Sequence, residues 1–230
     1  MGCCQSWACC GSKSKTDDKK KQELTELDIK KTKVETLDTL FDNASSPFNE
    51  AVDLKEKLDD AISQLKKLAG YKDTDTLKDV FLGLKKRIPN LKLELTANYT
   101  LKLTTGTGYS EDVADIIENL IDSVSAISDL VKQIQNLLET AVESAKGIIE
   151  QAETLQDTVK DANLNPLQMP RAVKNTSHNV LEFKKVDDIV KAFQQFIDDM
   201  MSEMKEIIKA LDSEAEPDTM QSNGKTVETK

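Results

Sequence analysis

The residues best placed to do chemistry in this chain are its first ten. Met1-Gly2-Cys3-Cys4-Gln5-Ser6 fits the acceptor pattern for N-myristoylation, M-G-x-x-x-[ST], with Gly2 as the acylated residue and Ser6 in the required place. A single myristoyl chain binds a bilayer only marginally, at about 10⁴ M⁻¹, so stable attachment needs a second signal. Two are at hand. The thiols of Cys3, Cys4, Cys9 and Cys10 are acceptors for S-palmitoylation beside the acylated glycine. Lys13, Lys15, Lys19, Lys20 and Lys21 follow, and each lysine close to an anionic membrane contributes about 1 kcal/mol. Trp7, between the cysteine pairs, suits the interface between head groups and acyl chains.

This leader resembles the dual acylation signals of Src-family kinases and G-protein α subunits. The resemblance covers about ten residues and implies targeting only: a lipoprotein carrying myristate and palmitate at the cytoplasmic face of a membrane, the plasma membrane first among them. Zinc is the competing use of clustered cysteines, but they stand as two adjacent pairs in which only Cys4 and Cys9 have C-x₂₋₄-C spacing, and no histidine lies nearby. An unmodified tail is the other. All four cysteines lie in the leader, so the body has no disulfide framework, as suits a reducing compartment.

Elsewhere the search for reactive constellations returns little. His178 is the only histidine and lies in a Ser/Asn-rich stretch that reads as a solvated loop. Gly106-Thr107-Gly108 precedes a helix start, but Glu111 stands where a dinucleotide fingerprint needs its third glycine, and it and Asp112 would repel a pyrophosphate. The many helix carboxylates form no calcium loop, and there is no Walker A sequence or kinase catalytic loop. Catalytic residues, metal ligands and cofactors are therefore not expected. The Met200, Met201 and Met204 cluster reads as core before adaptable binding face. Lys85-Lys86-Arg87 reads as the polar end of a short helix before a membrane contact.

The composition shows what must carry such a leader. The chain has 230 residues with a net charge of −10, only 4% aromatics, 8 glycines and 5 prolines. Low Gly, Pro and aromatic content with abundant charged residues favours long helices. Residues 1–21 hold five lysines against two aspartates, so the basic leader sits on an acidic body, and nucleic acid is not an expected partner. No run of about 18 apolar residues suggests a transmembrane helix, and the N-terminus lacks the apolar core of a secretory signal.

Periodicity sets the expected elements. A first helix is predicted over about 20–41, a break over Asn43–Pro47, a second helix to Leu68 closed by Gly70, and a short helix over 75–84. Residues 91–103 alternate, with leucines at 91, 93, 95, 101 and 103, which predicts one long strand or, in preference, a hairpin turning near Thr96-Ala97-Asn98, since a lone strand finds no pairing partner elsewhere in the chain. From Ser110 to about 163 an apolar seam steps by four and three, Val113-Ile117-Leu120-Val124 and onward to Val159, which predicts one very long heptad-patterned helix with Gly147 as its weak point. A loop over 163–179 with Pro166 and Pro170 precedes a last helix over 180–211. The expected fold is mainly α: an elongated helical bundle with a small amphipathic β-hairpin or strand. Its organisation is a disordered acylated leader over 1–19, a bundle domain over 20–211 (β segment 91–104, long helix 110–163) and a polar disordered tail over 212–230.

The expected function is that of a non-enzymatic, lipid-anchored scaffold or adaptor. It would meet a protein partner, or its own copy, through coiled-coil-like helices. The alternative is a membrane-active protein that remodels or perforates bilayers. A leucine-faced hairpin beside a long amphipathic helix is similar in layout to the helical pore-forming toxins, without a shared motif.

Overall fold

The computed structural model describes residues 25–88, 90–106 and 111–213. The order is α1 (Glu35–Leu68), α2 (Leu77–Arg87), β1 (Lys92–Leu95), β2 (Leu101–Thr104), α3 (Glu111–Glu150), α4 (Ala152–Asp161) and α5 (Met169–Ser213). The fold is mainly helical, with long helices and one antiparallel hairpin, as the periodicities predict. Helix α3 is the spine: α1 packs most extensively on it, and α5 lies against α3, α4, α2 and β1.

The heptad seam explains this arrangement. On α3 and α4, the seam residues from Ile117 to Val159 are all buried except Ala152. A stripe that repeats every 3.5 residues stays on one side of a helix, so it can be covered along its whole length by neighbouring helices. The second row (Ile121, Leu130, Leu137, Val142, Ile149) is half-buried, and Ile116 is exposed. Two core regions follow. One gathers α2, the hairpin, the second half of α1, the first half of α3 and the C-terminal half of α5. The other gathers residues near Leu27, the first half of α1, the end of α3, α4 and the start of α5, with Phe41 stacked on Phe183 at 6.2 Å.

Four boundaries differ from expectation. The predicted single helix over 110–163 is interrupted at Gln151, four residues after Gly147. Helical bonds still cross the joint, from Gln151 N–H to Gly147 O at 3.2 Å and from Leu155 N–H to Gln151 O at 2.9 Å, so the chain bends without unfolding. The predicted break at Asn43–Pro47 is absent, and α1 runs through Pro47. Proline in a helix interior costs about 3 kcal/mol. Buried Phe41, Phe48 and Val52 share the packed face on both sides of it, and burying such side chains yields about 1.5–3 kcal/mol each, enough to offset the loss.

Of the helix predicted from residue 20, the described part begins only at Glu35, and residues 25–34 form a strap outside helix and sheet. Lys33 has φ 71°, which a continuing right-handed helix excludes. Asp38 fixes that turn by accepting from the Thr32 N–H at 2.6 Å and the Thr32 hydroxyl at 2.8 Å. Finally, the predicted loop over 163–179 is mostly helix, because α5 starts at Met169. Asn165 Oδ1 accepts from Leu167 N–H at 3.1 Å and Gln168 N–H at 2.9 Å, and Pro170 falls in the first turn, where a missing N–H costs nothing.

The hairpin turns where predicted. Leu93 pairs with Leu103, Glu94 with Lys102 and Leu95 with Leu101. Leu91, Leu93, Leu101 and Leu103 are buried against the bundle, and Leu95 is half-buried.

Candidate functional site

The lipidation candidates Gly2, Cys3, Cys4, Cys9 and Cys10, and the lysines at 13, 15 and 19–21, lie outside the described residues, as does most of the tail predicted from 212. The structure does show how the chain that follows the leader joins the body. Residues 25–34 cross the N-terminal part of α5 and are held there by side chains reading main-chain atoms.

Asn179, fully buried, lies on the core-facing side of α5 with Ala172, Thr176 and Phe183. Its Oδ1 accepts from Lys30 N–H at 2.8 Å, and its Nδ2 donates to Lys30 O at 2.9 Å. One turn earlier, Asn175 Nδ2 donates to Lys31 O at 2.7 Å. His178 Nε2 lies 2.9 Å from Asp28 O, 3.4 Å from Asp28 Oδ2 and 3.9 Å from Glu182 Oε1. From α1, Asn49 Oδ1 takes Leu27 N–H at 3.0 Å. A segment outside helix and sheet has main-chain groups that need partners, and here amide side chains supply what a neighbouring strand would. Leu27 adds an apolar pin to the second core region.

Electrostatics reinforce the clamp. The Asp28 carboxyl lies below the usual aspartate value, held there first by its hydrogen bond from Lys30 and further by the charges of Lys30 and His178. Glu182 is buried and ion-paired to Lys185. His178, read from sequence as a solvated loop residue, is instead a half-buried helical residue tied to the strap. The sequence points to neither Asn175 nor Asn179 as a residue that holds another segment. The one signal for Asn179 was its position in helical phase with Ala172 and Phe183.

The other singled-out residues have structural roles. Met200, Met201 and Met204 are buried in the core. Lys85 donates to Leu211 O at the end of α5, and Arg87 Nη2 donates to Ala69 O at 2.5 Å, so two of the three basic residues cap carbonyls at helix ends. Among the described residues no group of three or more acidic, His or Cys side chains is arranged to hold a metal, and no helix is long and apolar enough to cross a membrane.

The fold and clamp together define a class: a helical bundle whose N-terminal strap is latched by polar side chains of its last helix. No protein-family model and no solved structure matches the chain. Its sequence is similar to inactive phospholipase C-like protein 1 of Homo sapiens, at 26% identity over 141 residues, covering 61% of this chain and 12% of that protein. Inactive phospholipase C-like protein 1 of Mus musculus matches at 23% over 176 residues (76% of this chain, 15% of that protein), and inactive phospholipase C-like protein 2 of Homo sapiens at 22% over 168 residues (69% and 14%). The chain thus spans about a seventh of the length of the curated relatives it matches.

Proposed function

We propose that this protein is a non-enzymatic scaffold or adaptor held at the cytoplasmic face of the plasma membrane by acyl chains on Gly2 and on Cys3, Cys4, Cys9 and Cys10. The acyl-acceptor leader carries this reading, with a body in which no catalytic constellation is recognised. The relatives are themselves named inactive, which agrees with a non-catalytic role here. A clamp on the strap suits a tether: force or orientation imposed on the leader passes through Lys30, Lys31 and Asp28 into α5 and so into the whole bundle. The acidic body favours protein partners that present basic helices or patches.

The perforating alternative is weaker. Its hairpin leucines would have to leave the core, and Leu91, Leu93, Leu101 and Leu103 are each at most 5% exposed. Freeing them forfeits about 1.5–3 kcal/mol apiece.

Membrane fractionation in eukaryotic cells tests the tether, comparing wild type with Gly2→Ala and with all four cysteines changed to serine. Wild type in the membrane pellet, with both variants released, is expected. Wild type that stays soluble overturns the reading. Dye leakage from liposomes exposed to the acylated protein would favour perforation.

A further inference from the structure

The hairpin has two edges, and the bundle makes hydrogen bonds to only one of them. Beyond the last strand pair, Thr96 N–H donates to Thr100 O at 3.0 Å. Antiparallel bonds fall on alternate pairs. Pairs 96–100, 94–102 and 92–104 therefore exchange bonds, and the main-chain groups of Leu93, Leu95, Leu101 and Leu103 point outward. On the β2 side, buried Ser128 of α3 accepts the outward Leu101 N–H at 3.2 Å and donates to Tyr99 O at 3.0 Å. On the β1 side, the N–H and C=O of Leu93 and Leu95 have no hydrogen-bond partner among the described residues. A groove of about 720 Å³ runs there, bordered by Lys92–Ala97 on one side and by Met201, Lys205, Ile208, Lys209 and Asp212 of α5 on the other. All four consecutive residues of strand β1 border the groove, as they do where the edge of a strand, and not one of its alternating faces, lines it.

An open edge of this kind is a template for another strand. We infer that its occupant is the same edge of a second copy of the chain, joining two hairpins into a four-stranded antiparallel sheet. The argument is the self-complementarity of Leu91-Lys92-Leu93-Glu94-Leu95. A two-fold axis through Leu93 sets Leu93 opposite Leu93 of the second copy, and Leu91 opposite its Leu95. These are the residues whose main-chain groups face outward, so the bonding phase is met. The same register sets exposed Lys92 opposite Glu94 of the second copy, twice, in the close non-bonded pairs where side chains interact most. The neighbouring registers of correct phase set Lys92 against Lys92 or Glu94 against Glu94. Charge therefore selects one register.

Sedimentation of the full chain over a range of concentrations, with amide hydrogen exchange at Leu93 and Leu95, tests the inference. Wild type is expected to dimerise reversibly, with protection of these two amides rising with concentration. K92E and E94K are each expected to raise the dimer dissociation constant on the order of tenfold. The double variant K92E/E94K restores it, as does a mixture of the two single variants, which then pair with each other. Within its own hairpin K92E faces Thr104 and E94K faces Lys102, so thermal melting of each variant separates loss of pairing from loss of fold. Three results overturn the inference: a wild type that stays monomeric, a dimer that ignores all the charge variants, or concentration-independent protection of Leu93 and Leu95, which places another segment of the same chain in the groove.

Discussion

The side-chain amide of Asn179 engages both main-chain groups of Lys30, with contacts of 2.8 and 2.9 Å across 149 residues of sequence. A planar carboxamide offers one acceptor and one donor side by side, and an extended residue presents its N–H and C=O on the same edge. The pair therefore acts as one rung of a β ladder supplied by a helix. Asn179→Ala removes both bonds and leaves two main-chain groups of the strap without protein partners. A loss of about 2–3 kcal/mol is expected. Chemical denaturation measures it, and limited proteolysis should show faster cleavage within residues 25–34. Unchanged cleavage would show that the strap is held by other contacts.

Thr176 makes the opposite case. It is fully buried on the same face of α5, and its hydroxyl has no hydrogen-bond partner among the described residues. An unpaired buried hydroxyl costs about 1–3 kcal/mol, and valine has nearly the same shape. Thr176→Val is expected to leave stability unchanged or raise it by about 1 kcal/mol, read from the denaturation midpoint. A clear loss would mean that the hydroxyl is satisfied.

Ser128 ties the hairpin to the spine through Leu101 N–H and Tyr99 O. Ser128→Ala leaves a buried N–H unsatisfied, which costs about 1–3 kcal/mol. The damage should be local. Hydrogen exchange is expected to quicken in β1 and β2 while α1 and the core of α3 keep their protection. Uniform quickening would mean that the hairpin and bundle open as one unit.

Acid should loosen the strap. Asp28 has a folded-state pKa below its ordinary value of 3.8, set first by Lys30, with His178 adding to it. A depressed carboxyl stabilises the fold in its ionised form. That contribution is complete above the ordinary aspartate value and is lost as pH falls through the lowered one. Asp79 behaves the same way, because its carboxylate accepts from Thr76 in the capping box of α2. Both groups are solvent-exposed, so the effect is small and weakens with salt. Melting temperature measured from pH 6 to pH 2 should fall less steeply at the acid end for Asp28→Asn than for wild type. Parallel curves would remove Asp28 from the account.

Periodicity alone determined the elements whose burial repeats regularly. The seam from Ile117 to Val159 fixed the spine, because steps of four and three keep one helix face apolar whatever packs on it. Alternating leucines at 91–103 marked the β segment for the same reason, and its turn at Thr96–Asn98 followed from the need of a lone strand for a pairing partner. Those signals are local, being the geometry of 3.6 and 2 residues per repeat. Helix limits were less legible wherever local preference and packing disagree. Pro47 says stop, and the burial of Phe41, Phe48 and Val52 overrides it. Residues 175–179 read as loop because Asn, Thr, Ser and His bond readily to nearby backbone. In the folded chain that same capacity is spent on a strap about 150 residues away. Only the tertiary structure could decide the clamp, the Ser128 tether and the open edge of β1, because each joins atoms far apart in sequence, where composition and period carry no information.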